Sequence, residues 1–208
     1  MEQNKNILVT IPLEPGQGEL LRAAAPGCAF RFAQASVGKA SFGELLPGEP
    51  LTQELADWAD ICLGNLPAKF LHGSEKLLWL QTNSAGVEEY VRPGVLAGNT
   101  LLTNATGAYG LAISEYMLGV LLELLKKLEL YRDAQKQGAW ESQGSVGSVY
   151  GATVLVLGMG DIGGEFGQRC KALGARVIGV RRSKRPCPDY ADEVHTLEDL
   201  DELLPQAD

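Results

Sequence analysis

The chain has 208 residues, of which 45% are hydrophobic and 21% charged, a balance typical of one large or two small globular domains. Its formal net charge of −8 argues against a sequence-wide surface for nucleic acid or an anionic membrane, because phosphate binding needs a basic face. The sequence has neither an apolar signal-peptide core nor a run of about 18 apolar residues. Its four cysteines are too widely spaced for a zinc site or redox pair. We therefore expect a cytoplasmic protein with small-molecule partners and no bound metal.

Short apolar runs alternate with amphipathic segments over residues 1–102. Strands are predicted at residues 7–11, 29–32, 61–63 and 78–81, and helices at residues 18–25 and 52–58. Such alternation predicts a parallel sheet covered by helices. Segments 47–50 and 91–94 contain proline and glycine and are interpreted as turns.

A long helix is predicted over residues 111–135. Its stretch 116–125 is apolar nearly all round, interrupted only by Gly119 and Glu123. One small domain cannot cover such a surface, so we expect this helix to mediate homodimerisation. The domain boundary is placed near Leu102, which leaves residues 103–208 to a second domain.

A glycine-rich turn follows the apolar run at residues 153–157. Its residues, in chain order, are Gly158, Met159, Gly160, Asp161, Ile162 and Gly163. The glycines permit a tight turn and close approach to a pyrophosphate, and the helix that begins there would offer backbone donors. That helix is expected to stop at Gly174, before a second strand at residues 176–180. The pattern predicts a dinucleotide site.

The choice of cofactor is expected at the end of the second strand, where an acidic side chain would bind the ribose of NAD. Arg181 occupies that place and begins a basic cluster that includes Arg182 and Ser183. A guanidinium can bind a 2′-phosphate through two hydrogen bonds, so NADP is favoured, with NAD as the alternative. The alternative to phosphate binding is that this segment is only a solvent-exposed basic loop.

Four separated segments together resemble the D-isomer-specific 2-hydroxyacid dehydrogenases, in particular those of the glyoxylate/hydroxypyruvate reductase type. They are residues 80–88, 103–107, 113–118 and 154–163. The resemblance implies an α/β fold with a flavodoxin-like, substrate-binding N-terminal domain and then the first half of a Rossmann domain, a doubly wound parallel sheet. It implies a dimer interface on the long helix. The chain is expected to be the N-terminal portion of such an enzyme and to be inactive alone.

The resemblance also suggests which residues bind ligands. Ala85 and Gly86 would hold the substrate's carboxylate through backbone N–H groups, an arrangement that small residues favour, although a plain turn is the alternative. Thr106 would lie near the nicotinamide, with a turn or cap role equally open. His72 and His195 are expected to be surface residues, so no catalytic residue is assigned.

Two hypotheses follow for the function. The first is an NAD(P)-dependent oxidoreductase that reduces a small 2-keto acid such as glyoxylate or hydroxypyruvate. The second is a non-catalytic, nucleotide-sensing or dimerising protein built on the same scaffold.

Overall fold

The computed structural model describes residues 4–14, 16–34, 46–183 and 185–208. Its contacts divide the chain into two units, Met1–Thr106 and Gly107–Asp208. Each unit has its own parallel sheet and its own buried apolar cluster. Within the described ranges, no helix combines the length and the apolar character needed to cross a membrane.

The first unit is built on a six-stranded parallel sheet. Its strands are β1 (Asn6–Val9), β2 (Ala29–Gln34), β3 (Glu49–Pro50), β4 (Ile61–Leu63), β5 (Trp79–Gln81) and β6 (Leu101–Thr103). The spatial order is β3-β2-β1-β4-β5-β6, so the chain extends the sheet first on one side of β1 and then on the other. In such a sheet a crevice forms at the carboxyl ends of the strands, at the point where the chain stops adding strands on one side and begins to add them on the other. The predicted parallel α/β fold is confirmed.

The core of this unit lies on the central strands. Leu8 in β1, Cys62 in β4 and Leu80 in β5 have no exposed surface. Continuous apolar strands of this kind are typical of a parallel sheet covered on both faces.

Two short helices accompany the sheet, α1 (Gln17–Ala24) and α2 (Gln53–Trp58), near the predicted positions. Thr52 caps α2, since its hydroxyl oxygen accepts a hydrogen bond from the Leu55 amide at 3.3 Å. A 3₁₀ turn, Ala68–Phe70, lies between β4 and β5.

The interpretation of segment 47–50 as only a turn is wrong at its end. Glu49 and Pro50 form β3, which pairs with Ala33 and the following residue of β2. Arg31 Nε donates to Glu49 Oε1 at 2.7 Å, and this hydrogen bond lowers the pKa of the Glu49 carboxyl. Proline is tolerated because β3 is an edge strand.

The second unit begins with two helices, not the one predicted over residues 111–135. They are α3 (Gly110–Lys126) and α4 (Leu128–Lys136), and Lys127 between them has a left-handed backbone with φ of 55°. The Leu125 carbonyl accepts from Gly147 N at 2.9 Å, and Lys127 Nζ donates to the Gln143 carbonyl at 2.7 Å. A distant segment thus supplies the hydrogen bonds at the helix break.

Three parallel strands form the sheet of the second unit, in the order β7 (Thr153–Leu157), β8 (Arg176–Val180) and β9 (Glu193–His195). Between β7 and β8 the chain forms α5 (Asp161–Ala172), and Gly174 follows it with a positive φ of 86°, as the sequence predicted. The chain ends with α6 (Leu200–Leu203), flanked by 3₁₀ turns.

A buried cluster joins α5 to this sheet. Phe166 and Cys170 of α5 pack with Val156 of β7 and Val177 of β8. Burial raises the pKa of the Cys170 thiol, so this side chain behaves as a small apolar group.

Candidate functional site

The glycine-rich turn lies between β7 and α5, at the carboxyl end of the sheet. Gly158 has a φ of +98° and its amide donates to the Val180 carbonyl of β8 at 2.8 Å. A Cβ at Gly163 would overlap the carbonyl oxygen of Gly158, so only glycine lets α5 start this close to β7. At Gly158 and Gly160, by contrast, a Cβ would meet open space. The turn therefore forms a cradle, open at Gly158 and Gly160, in which a ligand can lie close to the backbone.

Unpaired amides line this cradle. Among the residues that the structure describes, the amides of Met159, Gly160, Asp161 and Ile162 donate to no protein acceptor. The amide of Gly164 is the first to donate back, to the Gly160 carbonyl at 2.8 Å. Free N–H groups at a helix N-terminus attract an anion, and a pyrophosphate fits this donor set.

Asp161, which is exposed, places its carboxylate next to the backbone of Gly110, the first residue of α3. The carboxylate therefore lies at the N-terminus of α3, a position that is favourable for a negative charge. This contact also engages the Asp161 side chain with another helix, which makes an acidic residue compatible with the turn.

A groove of about 440 Å³ extends from the glycine turn along the carboxyl ends of β7 and β8. Its lining residues are Leu157, Gly158, Met159, Gly160, Val180, Arg181, Arg182, Ser183, Arg185 and Leu197. Leu157 and Leu197 are each 58% exposed and form apolar walls. The Met159 side chain packs on Gly179, where a Cβ would collide with its sulfur. The groove thus combines a glycine floor, apolar walls and a basic end, and its described lining holds no carboxylate.

The arginines at the basic end differ in their partners. Arg181 Nη2 donates to the carbonyl of Pro186 at 2.8 Å and to that of Arg185 at 3.4 Å, and its buried Nε has no partner. Arg182, Ser183 and Arg185 are exposed. Arg181 therefore holds the loop that carries the exposed arginines. Lys184, within the same basic cluster, lies outside the described residues.

In the first unit, the predicted carboxylate-binding turn follows β5. Its three carbonyls accept hydrogen bonds from the protein: Ser84 O from Thr82 Oγ1 at 2.8 Å, Ala85 O from Asn104 Nδ2 at 2.7 Å and Gly86 O from Ser84 Oγ at 3.0 Å. In the described part of the chain, the amides of Ala85 and Gly86 donate to no acceptor. Both residues are exposed. Occupied carbonyls and free amides are what an anion site requires.

Asn65 connects this turn to the end of β4. Its side-chain Oδ1 accepts from the backbone amide of Asn83 at 3.1 Å and from Ser84 Oγ at 3.4 Å. Its backbone amide donates to the side-chain Oδ1 of Asn83 at 3.2 Å. Its carbonyl accepts from Thr10 Oγ1 at 3.0 Å, which adds the end of β1. The sequence analysis did not identify Asn65, although a polar residue just after a predicted parallel strand is a usable signal.

The close approach of these strand ends depends on Gly64. It has a φ of +115°, and a Cβ there would overlap the Ile11 amide and the Thr10 hydroxyl. Beneath it, burial raises the pKa of the Cys62 thiol to about 12. This thiol is therefore protonated at neutral pH and offers no nucleophile.

Thr106 is exposed in a turn that follows β6, and its amide donates to Asn104 Oδ1 at 3.4 Å. The turn role that the sequence left open is therefore present. Its contact with a nicotinamide stays a prediction.

The histidines do not join either site. His72 is exposed, as expected. His195 belongs to β9, and its side chain is partly exposed, at 31%. Its Nε2 lies 3.0 Å from Glu193 Oε2, and Nδ1 lies 3.6 Å from Asp199 Oδ2. Arg176 first, and then His195, lower the pKa of Glu193 through hydrogen bonds. His195 therefore has a structural role.

The fold and the glycine-floored groove define the class of the protein, a parallel α/β protein with a glycine-rich turn of the kind that can hold a dinucleotide. Comparison with known proteins extends this. Residues 118–208 match the family model of the D-isomer specific 2-hydroxyacid dehydrogenase, NAD binding domain. A D-3-phosphoglycerate dehydrogenase of Methanocaldococcus jannaschii is 25% identical over 97% of this chain and 37% of its own length. A glyoxylate reductase of Thermococcus gammatolerans is 28% identical over 61% of this chain and 38% of its own length.

Among solved structures, a D-isomer specific 2-hydroxyacid dehydrogenase family protein from Aeromonas salmonicida is 31% identical. It superposes with a TM-score of 0.76 over 99% of this chain and 62% of that one. The present chain thus spans 37% and 38% of the length of the two curated relatives and 62% of the solved structure. The resemblance identified from the sequence motifs is confirmed: residues 118–208 match the NAD binding domain of the D-isomer specific 2-hydroxyacid dehydrogenases, and the chain as a whole is similar to members of that family.

Proposed function

We propose that this chain contributes to an NAD(P)-dependent oxidoreductase of the D-2-hydroxyacid dehydrogenase type, which reduces a small 2-keto acid. The observation that carries the proposal is the cradle of free amides at residues 159–162, at the head of a groove with a basic end. The two relatives named as a phosphoglycerate dehydrogenase and a glyoxylate reductase support this reaction class.

The residues that line the groove provide suitable contacts for a dinucleotide. The amides of residues 159–162 would bind the pyrophosphate, and Leu157 and Leu197 would contact the adenosine part between them. When bound, NAD(P)H supplies the hydride that reduces the keto carbon. A proton must also reach the keto oxygen, and neither His72 nor His195 is assigned to deliver it.

The substrate would bind through its carboxylate. The free amides of Ala85 and Gly86 would donate to the carboxylate oxygens, because the carbonyls of the same turn already accept from the protein. Thr106 is proposed to lie near the nicotinamide of the bound cofactor.

NADP is the proposed cofactor, in preference to NAD. Arg182 and Arg185 present exposed guanidinium groups at the end of the groove where a ribose 2′-phosphate would lie, with Ser183 between them. Arg181 contributes by holding their loop through the carbonyls of Arg185 and Pro186. No carboxylate among the described lining residues is available to accept from the 2′-hydroxyl of NAD.

Titration of the chain with NADPH and NADH, followed by fluorescence or calorimetry, tests this proposal. We expect NADPH to bind at least about tenfold more tightly, since a charge-assisted contact to phosphate contributes about 1.5–3 kcal/mol. The double variant Arg182→Ala, Arg185→Ala should remove the preference and leave NADH binding unchanged. Arg132→Ala, which removes an exposed arginine of α4, serves as the control. Equal affinities in the unmodified chain would contradict the cofactor assignment.

Assay of NADPH oxidation with glyoxylate separates the two functional hypotheses. Binding of NADPH with turnover supports the dehydrogenase. Binding without turnover supports the nucleotide-sensing or dimerising protein, in which the same groove would bind the cofactor as a signal.

Homodimerisation is proposed on the basis of the first helices of the second unit. α3, α4 and the segment after them carry large exposed apolar side chains, namely Leu111, Tyr116, Leu124, Leu128 and Trp140. A second copy of the chain would cover this surface. The four cysteines are free, and this favours a reducing compartment such as the cytoplasm.

A further inference from the structure

The carboxamide oxygen of Asn65 accepts two hydrogen bonds, which fix the orientation of the side chain. An amide N–H can donate only to an oxygen, so the contact of 3.1 Å from the Asn83 amide identifies the atom it meets as Asn65 Oδ1. The 3.4 Å contact from Ser84 Oγ meets the same oxygen. The backbone amide of Asn65 donates a reciprocal hydrogen bond to Asn83 Oδ1, which holds the two residues together.

This orientation leaves the other end of the carboxamide without a protein partner. Over the described ranges, Asn65 Nδ2 donates to no residue, although the side chain is half-buried. A half-buried amide group with two free donors loses hydrogen bonds unless water or a ligand accepts them. Its donors are therefore available at the strand ends.

The Asn65 carboxamide also lies against the proposed carboxylate-binding turn. Ser84 Oγ joins the two, because it contacts Asn65 Oδ1 at 3.4 Å and the Gly86 carbonyl at 3.0 Å. The free amides of Ala85 and Gly86 are in the same turn. Ser84 thus joins the carboxamide that carries Nδ2 to the turn that carries the two free backbone amides.

We propose that Asn65 is a substrate-binding and specificity-determining residue, whose Nδ2 donates to an oxygen of the bound 2-keto acid. This inference rests on the proposed function, since it takes the turn at residues 84–86 as the carboxylate site. A 2-keto acid carries only acceptor oxygens at its carboxylate and keto groups, which matches three donors and no acceptor. A ligand with a donor in the same place meets the Nδ2 group and is disfavoured.

Asn65→Asp is the decisive variant. It keeps the shape and an oxygen for the Asn83 amide and Ser84 hydroxyl, and it replaces the proposed donor with a negative charge. We expect the affinity for oxamate, a stable analogue of a 2-keto acid, to fall at least tenfold, as followed by the amide NMR signals of Ala85 and Gly86. The melting temperature and the affinity for NADPH should not change.

Two controls separate binding from folding and from net charge. Asn99→Asp makes the same change of charge in the first unit, at an exposed residue whose Nδ2 donates to the Glu75 carbonyl, and it should leave oxamate affinity unchanged. Lowering the pH toward the ordinary carboxyl pKa of about 3.9 should restore part of the affinity of Asn65→Asp, because a protonated carboxyl can donate. A purely structural role would show no such recovery.

The possible failures are distinguishable. If the unmodified chain binds oxamate and Asn65→Asp binds it equally well, the role of Asn65 is wrong and the proposed function stands. If the unmodified chain binds NADPH but no oxamate, the carboxylate site and the role of Asn65 are both overturned. If it binds neither, the proposed function itself fails.

Discussion

Gly163 illustrates how one residue limits the geometry of the cofactor turn. The hypothetical Cβ at this position overlaps the carbonyl oxygen of Gly158, which is backbone and cannot rotate away. Close packing of α5 on β7 therefore depends on the absence of a side chain. The glycine at 163 has a steric role, whereas Gly158 and Gly160 border open space, where the proposed pyrophosphate would lie.

Gly163→Ala should consequently weaken both the fold and the site. We expect a loss of about 1–3 kcal/mol in the free energy of unfolding, typical of overpacking, and at least a tenfold loss of NADPH affinity. Chemical denaturation and cofactor titration measure the two effects.

Gly119→Ala provides the matched control for this change. Gly119 lies inside α3, where a Cβ would meet nothing within 4 Å, so alanine should stabilise the helix by about 0.5–1 kcal/mol. Unchanged stability and binding in Gly163→Ala would show that the turn relaxes more easily than its geometry suggests.

At the scale of elements, Asp192 links β8, β9 and α5. Its Oδ1 accepts from Lys171 Nζ at 2.6 Å, and its Oδ2 accepts from the Val177 amide at 2.8 Å. Its own amide donates to the Val177 carbonyl. The hydrogen bond from Lys171 and then that from Val177 lower the pKa of the Asp192 carboxyl.

A lowered pKa stabilises the folded state in the pH range where the carboxyl is ionised. This contribution is fully present above the ordinary pKa of about 3.9 and is lost as the pH falls through the folded-state value. Asp192→Asn should therefore destabilise the protein by roughly 1 kcal/mol at pH 7, a value reduced by partial exposure, and by less as the pH falls below about 4.

Urea denaturation at several pH values checks this dependence. Asp189→Asn removes the same charge from a nearby exposed residue and should have little effect at any pH. A difference between Asp192→Asn and the unmodified chain that stays constant with pH would contradict an ionic contribution.

For the whole molecule, the apolar surface of α3 and α4 predicts self-association. Tyr116 and Leu124 are 73% and 63% exposed, respectively, although both belong to the most apolar part of the chain. Sedimentation at micromolar concentration should give a dimer. Leu124→Lys should shift it toward the monomer with its circular dichroism unchanged, because a buried lysine opposes the contact.

Leu20→Lys tests whether any new surface charge has this effect. Leu20 is 71% exposed on α1 of the first unit, and its substitution should leave the dimer intact. A well-behaved monomer of the unmodified chain would rule out the proposed dimer.

Patterns local to the sequence predicted the parts whose cause is local. The apolar runs of β1, β4 and β7 and the glycine turn follow from neighbouring residues alone, because strand pairing in a covered parallel sheet demands apolar runs and tight turns demand glycine. The order of these elements also indicated the α/β class.

Contacts between distant residues decided the rest. The helix break at Lys127 depends on carbonyl and amide partners near Gly147, and no proline or glycine marks it in the sequence. Asn65 acquires its orientation only when the end of β4 meets the end of β5. Each case needs the tertiary structure, because a hydrogen-bond partner far along the chain determines where a side chain points.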